Sequence, residues 1–135
     1  MKLSILAAAL LLAGPACADD YIGFQSPTGN IQCGLYRGEQ GASVRCDLMQ
    51  LVPSYTKQPK DCEFDWGSSF AVDDRGKGYV ACVSDAVGDP SNGVLGYGEA
   101  VSLGGISCVS AKTGMTCTNG EGHGFTISKA KQKVY

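Results

Sequence analysis

The sequence contains a single histidine, His123, and no two cysteines separated by only two residues. Structural zinc sites combine close cysteine pairs with histidines, so we do not expect the cysteines to bind metal. Disulfide exchange of the thioredoxin type also needs a Cys-x-x-Cys pair. The glycines around His123 are no nucleotide signature, because no βαβ unit surrounds them. We therefore expect neither a metal nor a cofactor.

Basic charge is scarce as well. The chain has 11 Lys+Arg against 13 Asp+Glu, a formal net charge of −2. Nucleic-acid binding calls for a clustered basic surface, so this balance argues against nucleic acid as a partner.

Long apolar runs are missing. The run from Leu3 to Ala13 is shorter than the ~20 residues that span a bilayer, so no membrane span is expected. With Lys2 before it and Ala16-Cys17-Ala18 after it, residues 1–18 are predicted to be a signal peptide. Removing Lys2 with them would leave residues 19–135 as one periplasmic or secreted domain with a net charge of −3. A lipidated Cys17 is the alternative.

Helical periodicity is confined to Leu48 to Val52, where Pro53 would end the turn. The 19 glycines are about twice the usual frequency and separate short alternating runs. This pattern predicts an all-β fold: a small, disulfide-stapled antiparallel sandwich or barrel, built from hairpins and with little helix.

Six cysteines remain after residue 18, in a compartment where pairing is expected. Six cysteines allow 15 pairings, and sequence alone does not choose among them. Geometry favours neighbours, because hairpin partners come close enough to bridge without long-range threading. We therefore predict the disulfides Cys33–Cys46, Cys62–Cys82 and Cys108–Cys117.

The first and third pairs share an internal echo. In each arm an aliphatic residue stands two positions before the cysteine, so both side chains should point inward. The polar residues between them are expected to face water; they are Gln32, Arg45, Ser107 and Thr116.

The middle pair suggests a third strand with the same logic. Alternation would place Cys62, Phe64 and Trp66 against the core, leaving Asp61, Glu63 and Asp65 as a solvated row or a site for calcium or a basic partner. A row of Lys129, Lys131 and Lys133 near the C-terminus is typical of a protected edge strand.

Three residues are candidates for a site. His123 could be a general base, with Ser107, Ser110, Ser128 or Asp85 as possible partners, or it could simply belong to a tight glycine turn. Asp85 and Tyr97 lie in the longest candidate loop, Asp85 to Gly98, and loops of this kind often bind ligands.

Several ordered motifs resemble a family of small secreted bacterial proteins catalogued only as a domain of unknown function. They include Ser26-Pro27-Thr28-Gly29-Asn30-Ile31-Gln32-Cys33 and Gly122-His123-Gly124-Phe125. The resemblance covers nearly the whole mature chain. It implies export, six paired cysteines and one β-rich domain, and it supplies no catalytic residue.

Our leading hypothesis is an exported binding or interaction module for an unknown protein, peptide or glycan, and not an enzyme. One alternative is a small hydrolase that uses His123. Another is an enzyme inhibitor that presents the Asp85 to Gly98 loop.

Overall fold

A computed structural model describes residues 20–135. The predicted signal peptide and Cys17 therefore lie outside the described residues. Residues 20–135 form no helix, and hence none long and apolar enough to cross a membrane. They form eleven strands: β1 Asp20–Gln25, β2 Ile31–Gly38, β3 Gly41–Leu48, β4 Ser69–Asp73, β5 Tyr79–Val80, β6 Gly93–Val94, β7 Ala100–Leu103, β8 Ile106–Ala111, β9 Gly114–Thr118, β10 Gly124–Ile127 and β11 Gln132–Val134.

The strands build two sheets, so the predicted all-β fold is confirmed as a sandwich. Strands β1 to β5 follow one another in space as an antiparallel meander, and β7 to β11 form a second one. The short strand β6 joins the free edge of β1 in the only parallel pairing among the described strands.

The core lies between the two meanders. As predicted, the aliphatic residue and the cysteine of each arm are buried together, for example Ile31 with Cys33 and Ile106 with Cys108. Alternation on the strand accounts for this, since residues two apart share a face.

Disulfides join the cysteines in neighbouring pairs. Cys33–Cys46 bridges β2 and β3, and Cys108–Cys117 bridges β8 and β9, each with a Cα–Cα distance of 4.1 Å. Cys62–Cys82 instead ties the long connection before β4 to the chain just after β5. Three disulfides indicate an oxidising environment.

The prediction of a strand around Cys62 is wrong. Only Asp65 pairs, through an isolated bridge to Val83, and Asp61 has a φ of 60° that interrupts any extended run. Alternation therefore fails: Phe64 is 60% exposed, and Trp66 is half-buried rather than packed in the core.

A second correction concerns the outer face of the first sheet. Gln32 is only 8% exposed and Arg45 is half-buried, although both were expected to face water. Residues 85–95, which we call the strap, lie across this face. Gly34 makes room for it, because a Cβ there would lie 2.8 Å from Val87 Cγ2.

Candidate functional site

A concavity lies at one end of the sandwich, where loops of the two meanders meet. Its volume is about 710 Å³, within the usual range of ligand sites, about 300–1,000 Å³. The groove is lined by the β1–β2 turn, the end of β3, Tyr97, and the β8–β9 and β10–β11 turns: Ser26, Thr28, Gly29, Asn30, Ile31, Met49, Gln50, Tyr97, Ala111, Lys112, Thr113, Gly114, Ser128, Lys129 and Ala130.

The β1–β2 turn forms one wall, and the Ser-Pro-Thr-Gly-Asn sequence explains its shape. The Gly29 amide donates to Ser26 O at 2.9 Å, with Gly29 at a φ of 73° that suits glycine. The Ile31 amide donates to Ser26 Oγ at 3.0 Å. The serine hydroxyl thus closes the turn and fixes the start of β2.

Asn30 holds the next part of the wall in place. Its Nδ2 donates to Gln50 O at 3.0 Å, and the Gln50 amide donates to Asn30 Oδ1 at 2.8 Å. The Met49 amide donates to Asn30 O at 2.9 Å. These bonds keep Met49 and Gln50 at the rim after β3 has ended.

Tyr97 stands on a tight turn that is anchored to β8. The Gly98 amide donates to Ser110 O at 2.7 Å, and Gly98 has a φ of 87°. The Gly96 amide donates to Glu99 Oε2 at 2.8 Å, so the Glu99 carboxylate is hydrogen-bonded within this turn. The ring of Tyr97 remains 44% exposed beside the groove.

Five polar groups at the groove are uncommitted. The side chains of Gln50, Tyr97, Lys112, Thr113 and Lys129 make no hydrogen bond or ion pair with any residue from 20 to 135. Together they offer ammonium donors, hydroxyls and an amide that both donates and accepts.

Asp85 lies elsewhere, on the strap over the outer face of the first sheet. Arg45 Nη1 donates to Asp85 Oδ1 at 2.7 Å and Arg45 Nη2 to Asp85 O at 2.7 Å. This interaction lowers the pKa of Asp85 below its ordinary value. Asp85 therefore fastens the strap to the sheet.

Asp47 completes that attachment. The carboxylate is 5% exposed and accepts hydrogen bonds from Arg45 Nε at 2.9 Å, Ser69 Oγ at 2.7 Å and the Val87 amide at 3.1 Å. Further along, the Leu95 amide donates to Gln25 O at 2.8 Å as β6 pairs with β1. The strap therefore lies flat on the sheet. This arrangement does not favour the alternative of an inhibitor that presents the Asp85 to Gly98 loop to an enzyme.

His123 lies in the β9–β10 turn, at the opposite end of the second meander from the groove. Its amide donates to Asn119 Oδ1 at 3.1 Å, and its carbonyl accepts from the Asn119 amide at 2.8 Å. The imidazole makes no hydrogen bond with any described residue, and no carboxylate of residues 20–135 pairs with it. No side chain of residues 20–135 therefore orients the imidazole as a partner would orient a general base.

Asn119 explains why this turn carries its particular motif. The buried Nδ2 donates to Asp73 O at 3.0 Å and to Gly76 O at 2.9 Å, so the amide joins the β9–β10 turn to the β4–β5 turn. Gly124 has no room for a side chain, since a Cβ would clash with Cys117 O and would lie 2.9 Å from Thr118 Cα. The motif is thus accounted for by packing.

The structure separates the three candidate residues: Tyr97 lines the groove, Asp85 fastens the strap, and His123 occupies the far end. No three His, Cys, Asp or Glu side chains of residues 20–135 form a metal-binding group, including the Asp61 row. Sequence reasoning missed Gln50, Lys112, Thr113 and Lys129. The Ser26 to Cys33 motif was the available signal, because it builds the wall of the groove.

Comparison with curated proteins and with solved structures finds no match. A family model described as "Family of unknown function (DUF6636)" matches residues 2–135. The chain therefore belongs to this family.

Proposed function

We propose that this member of the DUF6636 family is an exported binding module, and that its ligand occupies the groove at the loop end of the sandwich. Export and a periplasmic or secreted location rest on the signal-like residues 1–18 and on the disulfides. The ligand is a protein, peptide or glycan of the same compartment.

The observation that carries this proposal is the contrast between a fixed wall and free side chains. The Ser26 hydroxyl accepts a hydrogen bond from the Ile31 amide, and the Asn30 side chain exchanges two with the Gln50 backbone, so the backbone around the groove is fixed. Tyr97, Gln50 and Thr113 meanwhile keep their polar atoms unused. A site that is already ordered loses little conformational freedom when a ligand binds.

Tyr97→Ala tests the site. Tyr79→Ala is the matched control, because Tyr79 is 43% exposed and lies on β5, outside the groove. Isotope-labelled residues 19–135 are titrated with the small-molecule, glycan and peptide fractions of an extract from the exported compartment, and amide shifts are recorded by NMR.

We expect one fraction to shift amides around Tyr97, Thr113 and Lys129, and expect Tyr97→Ala to weaken the response about tenfold, the loss of one aromatic contact of about 1.4 kcal/mol. Tyr79→Ala should respond like the parent. Shifts centred on the β9–β10 turn, or equal responses of the two variants, would move the site away from the groove.

A further inference from the structure

The charge of the groove differs from that of the molecule. The whole chain carries a net charge of −2, yet the groove is lined by Lys112 and Lys129 and by no aspartate or glutamate. The three ion pairs among residues 20–135 use Asp20, Asp47 and Asp85 with arginines, so neither lysine is neutralised. An unbalanced positive concavity attracts anions.

The two lysines are placed for separate contacts. Lys112 belongs to the β8–β9 turn and Lys129 to the β10–β11 turn, and both turns lie at the same end of the second sheet. Neighbouring strands lie about 4.8 Å apart, so turns two strands apart are about 10 Å from each other. The ammonium groups can therefore meet acidic groups at two points along an extended ligand.

The construction of the rim favours a saccharide over a peptide. Peptides commonly bind by adding a strand to a free sheet edge. The strand residues at the groove, Ile31, Ala111 and Gly114, belong to β2, β8 and β9, which already have a partner on each side. No residue of the edge strands β5, β6, β7 or β11 lines the groove.

The uncommitted side chains complete the match. Gln50 and Thr113 can donate and accept hydrogen bonds, as sugar hydroxyls do. Tyr97 offers an exposed aromatic ring with a polar hydroxyl, and Met49, 53% exposed, adds an apolar surface beside it.

We infer that the groove binds an acidic oligosaccharide, with Tyr97 against a sugar ring and Lys112 and Lys129 on acidic substituents. This inference rests on the proposed function and narrows its ligand class. Carboxylated and sulfated sugars share the required chemistry, so the test contains both.

The test uses residues 19–135 and four sets of size-matched probes: oligouronates, sulfated oligosaccharides, neutral oligosaccharides and oligoglutamate peptides. Binding is measured by titration calorimetry and mapped by NMR. The variant is Lys112→Glu with Lys129→Glu. Its control is Lys60→Glu with Lys77→Glu, which makes the same charge change at exposed positions outside the groove.

We expect an acidic oligosaccharide to bind, to be weakened by salt, and to lose about tenfold or more in affinity in the groove variant, since two charge-assisted contacts are reversed. The control pair should lose far less. Preference for oligouronates over sulfated probes, or the reverse, would identify the acidic group.

Four outcomes would overturn the inference. Neutral oligosaccharides binding as well as acidic ones would remove the role of the lysines, and oligoglutamate binding alone would replace the ligand class. Binding of no acidic saccharide by the parent protein would also reject it, while leaving the groove open to another ligand. Acidic binding that both charge variants reduce equally would count against the groove itself, and hence against the proposed function.

Discussion

The inner faces of the two meanders each contain a row of aligned residues, in which two cysteines are flanked by hydrophobic side chains. In the first sheet, hydrogen-bonded register aligns Phe24, Cys33, Cys46, Phe70 and Val80. In the second it aligns Val101, Cys108, Cys117, Phe125 and Val134. The internal echo seen around four cysteines thus extends over all five strands, and each sheet contributes one cross-strand disulfide to a shared core.

The outer faces of the same strands differ completely. Next to the cysteines, the first sheet has Gly34 and Arg45, and the strap covers them. The corresponding positions of the second sheet are Val109, 42% exposed, and Thr116. The residues of the inner faces specify the sandwich, whereas the residues of the outer faces determine whether a sheet is covered by another segment.

The connections between β-strands differ too. Residues 49–68 join β3 to β4, whereas only residues 119–123 join β9 to β10. The long connection is the one that Cys62–Cys82 ties down, and the short one is held by Asn119. A disulfide restricts the unfolded chain more when it closes a longer loop, and Cys62–Cys82, with a sequence separation of 20, closes a longer loop than the two cross-strand disulfides, with separations of 13 and 9.

The largest expected effect tests the equivalence of the inner rows. Replacing Cys33 and Cys46 by alanine, or Cys108 and Cys117, should each lower the free energy of unfolding by about 3 kcal/mol, because each disulfide closes a short loop inside the core. Chemical denaturation of the two variants measures this.

Non-reducing peptide mapping of the parent provides the control, since the comparison requires neighbouring pairs. A crossed linkage, or one variant losing less than about 1 kcal/mol while the other fails to fold, would show that the rows are not equivalent.

A smaller effect should separate the outer faces. Asp47 follows Cys46 as Thr118 follows Cys117, but only Asp47 is buried beneath a covering segment. Asp47→Ala leaves Arg45 Nε, Ser69 Oγ and the Val87 amide without their acceptor, while Arg45 keeps its bonds to Asp85, and it should cost about 2 to 3 kcal/mol. Thr118→Ala, at a half-buried position, should cost under about 1 kcal/mol.

Thermal and urea unfolding of the two variants give these values, and hydrogen exchange of residues 85–95 reports whether the strap has opened. Equal losses for Asp47→Ala and Thr118→Ala, or a strap that stays protected without Asp47, would remove the distinction between a covered and a bare face.

The inner rows could be predicted because their evidence is local. An aliphatic residue two positions from a cysteine is enough to define a buried strand face. The strap could not be predicted, because its contacts are distant in sequence. Arg45 binds Asp85, and Asp47 binds the Val87 amide, each across a separation of 40 residues. A polar residue next to a core cysteine gives no sign of what lies above it.

The site divides in the same way. Tyr97 was a candidate because it lies in the longest candidate loop, Asp85 to Gly98, and loops of this kind often bind ligands. The sequence indicates only that Lys112 and Thr113 lie in a turn, and they line the groove because the second meander packs beside the Ser26 to Asn30 turn. Alternation around Phe64 misled because the positive φ of Asp61 breaks the strand that the pattern assumes.

The smallest effect concerns acid, and it should touch one face only. Arg45 lowers the pKa of Asp85 in the folded protein, so the folded value lies below the unfolded one of about 3.9. The contribution of this pair is complete above the unfolded pKa and is lost as the pH falls through the folded pKa. Strap amides near Asp85 should therefore shift at acid pH, while β7 to β11, which contain no acidic residue, should not.

Carboxyl-detected NMR titration measures the midpoint directly, and Arg45→Gln should raise the midpoint of Asp85. Asp89 serves as an internal control: its pKa is also lowered, but by the amide and hydroxyl of Ser91. Its midpoint should therefore not change in Arg45→Gln. If both midpoints move together, the variant has disturbed the strap as a whole. If neither moves, Arg45 does not fasten the strap through Asp85. The two outer faces would then differ in whether a strap covers them, but the strap would not respond to acid.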